Sequence, residues 1–150
     1  MITLLCFGTI KDKVLHSLIC EYEKRLTRFS AFSISRKKFS SNNSSTIKDS
    51  EEKIIKYMRS YPDKTYILLD NAGKQFSSEE FAGFLQKELV EKEIVFILGD
   101  SFGFSNEFKK LFTQTLSLSK MTFTHEMAEF LLYEQVYRCA MILTGKAYHK

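Results

Sequence analysis

The residues best equipped for chemistry lie near the end of this chain. From Leu116 to Lys150 it reads LSLSKMTFTHEMAEFLLYEQVYRCAMILTGKAYHK, in which a β-like alternation of Leu and Ser leads through a Thr/Lys/Met loop to His125 and a helix carrying Glu134 and Arg138. An imidazole exchanges a proton near neutral pH without special help, so His125 is a candidate general acid or base. Taken alone it is also an ordinary helix-terminal residue behind a Thr124 N-cap, and only its place just after a candidate ligand loop raises the functional reading. Glu134 and Arg138 stand four apart in the acid-then-base order that favours an ion pair on one helix face. Met127, Leu131 and Met141 share that face, and charge set in an apolar stripe points to a site, an interface or a helix anchor, because it stabilises poorly compared with apolar residues. The terminal Tyr148-His149-Lys150 and the internal Arg36-Lys37-Lys38 could contact phosphates or stack on bases, although short basic clusters are more often solvated surface.

Composition bounds the protein to which those residues belong. A chain of 150 residues with 44% hydrophobic content suits one compact domain, 1–150, with a proper core. The formal charge of +4, from 22 basic against 18 acidic residues, permits an anionic partner without requiring one. Cys6, Cys20 and Cys139 are odd in number, far apart and without a CxxC pair, so neither a disulfide framework nor a metal site is expected. The N-terminal ITLLCF run is too short for a secretory segment, and no stretch reaches membrane-spanning length. A soluble, unprocessed, cytoplasmic protein without a membrane partner is the expectation.

Along the chain, β-like and helix-like segments alternate. Ile2 to Phe7 reads as a buried strand ending at Gly8, Lys13 to Phe29 as a helix, and Ala31 to Arg36 as an alternating strand before the polar SSNNSS loop at Ser40 to Ser45. Lys48 to Tyr61 reads as a helix closed by Pro62, and Thr65 to Leu69 as an apolar strand running into Asp70-Asn71-Ala72-Gly73-Lys74. Ser77 and Glu80 have capping-box spacing and open a helix striped by Phe81, Phe84, Leu85 and Leu89; the strand Ile94 to Leu98 follows and stops at Gly99. A short helix near Ser105, a strand over Gln114 to Leu118 and a long helix over Glu126 to Leu143 complete the pattern.

Roughly five strands alternating with helices imply an α/β fold with a mostly parallel sheet flanked by helices. Ligands of such sheets bind beyond the carboxyl ends of the strands, which directs attention to Leu69 to Lys74, Gly99 to Gly103 and Leu118 to His125 as the walls of one pocket. Neither GxGxxG nor GxxxxGK[ST] occurs, so a dinucleotide site or a P-loop is disfavoured. Asp100 beside the GDSFG turn would repel phosphate, and a neutral or cationic ligand fits better.

Three stretches, LLDNAGK at Leu68 to Lys74, FILGDSFGFS at Phe96 to Ser105 and the Leu116 to Lys150 run, resemble the RlmH family of SPOUT-class methyltransferases. The similarity in order and spacing spans roughly Leu68 to Lys150, with FGTIKD and EYEKRL similar in character and the Ser40 to Ser45 tract poorly matched. It implies a SPOUT fold with a C-terminal trefoil knot, a homodimer, and an S-adenosylmethionine (SAM)-dependent enzyme. The implied reaction is methylation of N3 of a pseudouridine in large-subunit ribosomal RNA, with the ribosome as partner. Carried across by position, Leu69, Gly99 and the loop Leu118, Ser119, Lys120, Met121, Thr122 and Phe123 would hold the cofactor, with backbone groups on the adenine. His125, Arg138 and His149 would serve the chemistry, and Glu134, Tyr148 and Lys150 would contact substrate.

Methyl transfer from a sulfonium requires alignment of the acceptor and removal of the imide proton, tasks that suit His125 or His149 for the proton and Arg138 for the developing charge. Three positions depart from the family's usual pattern: Asp100 in place of a second glycine, Thr124 in place of proline, and Glu129 in place of a basic residue. A carboxylate at Glu129 is expected to weaken or relocate RNA contact. Asp100 and Glu129 are thus the support for one alternative, a noncatalytic RNA- or ribosome-binding relative; a methyltransferase acting on another RNA is a second alternative, which the sequence does not discriminate from the first reading.

Overall fold

The computed structural model describes residues 1–39, 46–100 and 102–145. Strands β1 (Ile2–Phe7), β2 (Ile34–Phe39), β3 (Thr65–Lys74), β4 (Ile94–Ile97) and β5 (Gln114–Leu116) form one sheet in the order β2-β1-β4-β3-β5, all neighbours parallel. Helices α1 (Lys13–Leu26), α2 (Ile47–Ser60), α3 (Ser78–Glu91), α4 (Asn106–Lys109) and α5 (His125–Leu143) connect or follow them. The mostly parallel α/β reading therefore holds.

Strand parity sorts the core into two layers. Ile2, Leu4, Cys6, Ile67, Ile94 and Phe96 point to one face, where Ile19 and Leu26 of α1, Phe81 and Leu85 of α3, and Leu132 and Val136 of α5 cover them. The intervening Leu5, Phe7, Leu68, Val95 and Ile97 point to the other, against Ile54 and Tyr57 of α2 and Phe108 of α4. Strands β1 and β4 are buried along their whole length, which is why they lack polar alternation. Burial in the first layer pushes the Cys6 thiol up to about 12, with the neighbouring Glu129 charge adding to the effect.

Helix starts follow their caps. The Ser77–Glu80 capping box forms as its spacing predicts, and Thr46 makes a second box with Asp49. Asp12 caps α1 by accepting from the amides of Val14 and Leu15 at 2.8 and 3.0 Å.

Several boundaries differ from the sequence reading. Helix α1 stops at Leu26, and a 3-10 turn at Ser30–Phe32 follows, so the second strand shifts to Ile34–Phe39 and absorbs the Arg36-Lys37-Lys38 cluster. Strand β3 does not end at Leu69: both Leu69 and Lys74 oppose Leu116 of β5, and the residues between them bulge outward. Gly73 permits this, since a Cβ there would meet the Leu116 backbone at 2.7 Å.

Arg36 is the largest correction. Neither solvated surface nor a phosphate contact, it is a partner of Glu129 on α5, with Nε to Oε1 at 2.5 Å, Nη2 to Oε2 at 3.3 Å, and a further 3.4 Å bond from Nη2 to the Gly8 carbonyl. Glu129 is itself only 1% exposed, so its carboxylate is directed to Arg36 and not to solvent. The aromatic face of α5 is likewise used within the chain. Phe130 and Tyr137 meet Tyr22 of α1 edge-on at 5.8 and 5.6 Å, and buried Tyr133 donates to Glu23 at 2.8 Å.

Because the Glu129 side chain is almost wholly enclosed and Arg36 is not, removing the cation leaves the costlier orphan. Arg36→Ala should destabilise the fold by about 3 kcal/mol or more in urea unfolding. Glu129→Ala should cost less, since the freed guanidinium can reach water.

Candidate active site

Four connections meet at the carboxyl edge of the sheet. After β1, the segment from Gly8, where φ is 73°, to Asp12 is fastened to the first turn of α5: the Glu126 carboxylate accepts from the Lys11 amide at 2.9 Å and the Asp12 amide at 3.1 Å. After Leu69, Asp70 takes the Ala72 amide at 2.9 Å on one oxygen and the Lys109 ammonium at 2.6 Å on the other. Beyond β4, the Asp100 carboxylate accepts from the Phe102 amide at 2.9 Å, and Glu51 of α2 receives the Ser105 amide at 2.6 Å. After β5, Ser117 donates to the Ser119 carbonyl at 2.9 Å, and the Ser119 hydroxyl accepts from the Met121 amide at 3.0 Å. Thr124 then caps α5 through the Met127 amide at 3.3 Å.

These segments enclose a cavity of about 960 Å³. Its floor is apolar, with Leu69, Leu98, Leu116, Leu118 and Ala128, and Gly99 lies against the Phe104 ring so closely that an added Cβ would meet it at 3.0 Å. Its charged lining is mainly acidic: Asp12, Asp70, Asp100 and Glu126, against Lys109. Burial would raise Asp70, yet the Lys109 ammonium and the Ala72 amide prevail and hold it below its ordinary value. Glu126 is held below its ordinary 4.5 chiefly by the Lys11 amide, with burial opposing and the Asp12 amide adding to the depression. A cavity of this size and polarity suits a medium-sized ligand bearing positive charge.

The three loops singled out in the sequence do converge, and Leu69, Gly99, Leu118, Ser119, Met121, Thr122, Phe123 and His125 all line the cavity. Lys120 does not: it is exposed and is not part of the lining. Glu134 and Arg138 form their pair at 2.7 Å, and Glu134 also accepts from Gln135 at 2.6 Å, but they sit off the cavity, ~13 Å or more along α5 from His125. Met127, Leu131 and Met141 beside them are half-buried. Tyr148, His149 and Lys150 lie outside the described residues. The sequence reading missed the first connection, with Asp12 and Glu126. Its signal was the strand-end rule applied to β1, but only the strand order reveals that β1 adjoins β4.

Among the described residues no group of three or more His, Cys, Asp or Glu side chains is placed to hold a metal ion, and no helix is long and apolar enough to cross a membrane.

A five-stranded parallel sheet with a ligand-sized cavity built from the loops at its carboxyl edge is the architecture of a nucleotide- or cofactor-binding α/β enzyme. A family model described as a predicted SPOUT methyltransferase matches residues 1–149, and the chain belongs to the SPOUT methyltransferase family. It is 40% identical over 156 residues to the ribosomal RNA large subunit methyltransferase H of Caldicellulosiruptor bescii, with both chains covered in full. It is 35% identical over 158 residues to the enzyme of the same name from Malacoplasma penetrans, covering 99% of each. Among solved structures, a Bacillus anthracis protein described as an RNA methyltransferase shares the fold, with a TM-score of 0.55 at 11% identity over 100% of both chains. So does a Legionella pneumophila protein described as a methyltransferase and solved with SAM, with a TM-score of 0.53 at 12% identity over 90% of this chain and 64% of that one.

With its folded-state pKa below the unfolded one, Glu126 contributes stability that is full above about pH 4.5 and is lost as pH falls through the folded value. Glu126→Gln should therefore lower stability at neutral pH and flatten the acid limb of a stability profile recorded from about pH 6 to about pH 3.

Proposed function

We propose that this protein transfers a methyl group from SAM to N3 of a pseudouridine in large-subunit ribosomal RNA. The observation that supports it best is the convergence of Leu69, Gly99, Leu118, Ser119, Met121, Thr122, Phe123 and His125 on one cavity, because those residues match the family's cofactor and substrate positions. The cavity also fits the cofactor chemically. Its apolar floor and the close approach at Gly99 suit an adenine ring, and its excess of carboxylates suits a ligand carrying a sulfonium and an ammonium. When bound, SAM supplies an electrophilic methyl group.

The chain's own task is to align the acceptor and handle its proton. The N3 imide is a poor nucleophile until its proton leaves, and His125, whose ring lines the cavity and lies 3.8 Å from a Glu126 oxygen, is positioned to accept it. His149 is the alternative acceptor from the C-terminal segment. Arg138 stabilises the charge that appears on the pyrimidine, and its pairing with Glu134 sets its direction. Glu134, Tyr148 and Lys150 contact the RNA. Because Arg138 stands well away from His125 on the same helix, a homodimer is the arrangement in which one copy's Arg138 serves the other's cavity. The half-buried stripe of Met127, Leu131 and Met141 is the surface for that contact. The C-terminal segment threads the SPOUT knot, and the protein acts in the cytoplasm on assembled ribosomes.

The engagement of Glu129 with Arg36 weighs against the noncatalytic alternative, since the carboxylate replaces no RNA contact. The test is transfer of labelled methyl from SAM to ribosomes of a strain lacking the modification, with the nucleoside identified by mass spectrometry. Methylpseudouridine in large-subunit RNA is expected; cofactor binding without transfer would sink the proposal. Single-turnover rates should fall by about a hundredfold or more in whichever of His125→Ala and His149→Ala removes the proton acceptor, and wild-type rates in both would refute that role.

A further inference from the structure

Two phenylalanines in one loop behave in opposite ways. Phe104 turns inward, packing on Gly99 and on the Phe108 ring at 4.8 Å. Phe102 turns outward and is 74% exposed, although its backbone is hydrogen-bonded within the turn. Its amide donates to the Asp100 carboxylate at 2.9 Å, and the Gly103 amide donates to the Asp100 carbonyl at 3.1 Å. Gly103 then turns the chain with φ at 69°, a conformation disfavoured for other residues.

Phe102 borders the cavity mouth together with Met121, 73% exposed, and Phe123, 36% exposed. A base that is to be methylated must enter by this mouth, since its acceptor atom has to come within about 3–3.5 Å of the methyl group. The charged groups at the cavity are mostly carboxylates, and Lys109 is tied to Asp70 at 2.6 Å, so the mouth offers a phosphate little attraction. What it offers is an exposed aromatic face on a hydrogen-bonded turn, the feature on which an unstacked base is received.

We infer that Phe102 is the stacking platform for the target nucleobase and so sets affinity for the RNA. The inference rests on the ribosomal RNA reading above. Its test compares the full-length wild type with Phe102→Ala, Phe102→Leu and Phe102→Trp, measuring methyl transfer against ribosome concentration, SAM binding by calorimetry and oligomeric state by sedimentation. Base–aromatic stacking predicts that Phe102→Ala raises KM for ribosomes about tenfold or more, with kcat moving less than about threefold. Phe102→Leu, which keeps apolar bulk but has no ring, should resemble Ala, and Phe102→Trp should recover most of the affinity. An unchanged ribosome KM overturns the inference. So does a matching loss of SAM affinity, which would make Phe102 a wall of the cofactor cavity, or dissociation of a dimer, which would make a second copy of the chain its occupant. An inactive wild type would instead overturn the function on which the inference depends, and the inference with it.

Discussion

The seating of α5 is the constraint from which the site follows. Two carboxylates one turn apart fasten it: Glu126 holds the amides of Lys11 and Asp12, and Glu129 holds Arg36, which reaches on to the Gly8 carbonyl. Glu126 thus holds the connection leaving β1 directly, and Glu129 reaches the start of that connection only through Arg36 of β2. His125 precedes the first of these carboxylates, so its place beside the cavity depends on the same fastening. An enclosed ion pair stabilises less than apolar packing would, but here it sets the angle and register of a helix that carries catalytic candidates.

The sheet supplies a rigid base. Fully buried β1 and β4 occupy interior positions, and the connections after β1, β3, β4 and β5 all emerge at one edge. Each is stiffened by a short-range polar bond: Asp12 onto α1, Asp70 onto Ala72, Asp100 onto Phe102 and Ser119 onto Met121. The same aspartates that fold the loops also charge the cavity. Loop architecture and selectivity for a cationic ligand thereby share a single set of side chains.

Much of this was legible in the residues. Apolar runs, alternation and helical spacing located the five strands and five α-helices of the described residues but not the 3-10 turn at Ser30–Phe32, cap chemistry placed the starts of α3 and α5, and the strand-end rule gathered three of the four loops. Errors arose where contacts were distant in sequence. In the Arg36-Lys37-Lys38 cluster the two lysines are exposed, as a solvated surface would be, but Arg36 is not, and its partner Glu129 lies 93 positions away; Glu129 looked like a lost RNA contact for the same reason. Strand β3 seemed to stop at Leu69 because nothing local announces that Lys74 rejoins β5 after a bulge.

By itself the sequence determined the elements, their caps and the residues that the loops would carry, because those are set by interactions within a few positions of the chain: pleat, helical turn and capping bond. Only the tertiary structure decided that β1 lies beside β4, that Glu126 fastens the first connection beside the cavity, that Lys120 is outside the cavity lining while Phe102 is part of it, and that Arg138 stands apart from His125. Those outcomes rest on pairings across long loops, whose direction and partners arise from packing two apolar layers on one sheet and have no local signature.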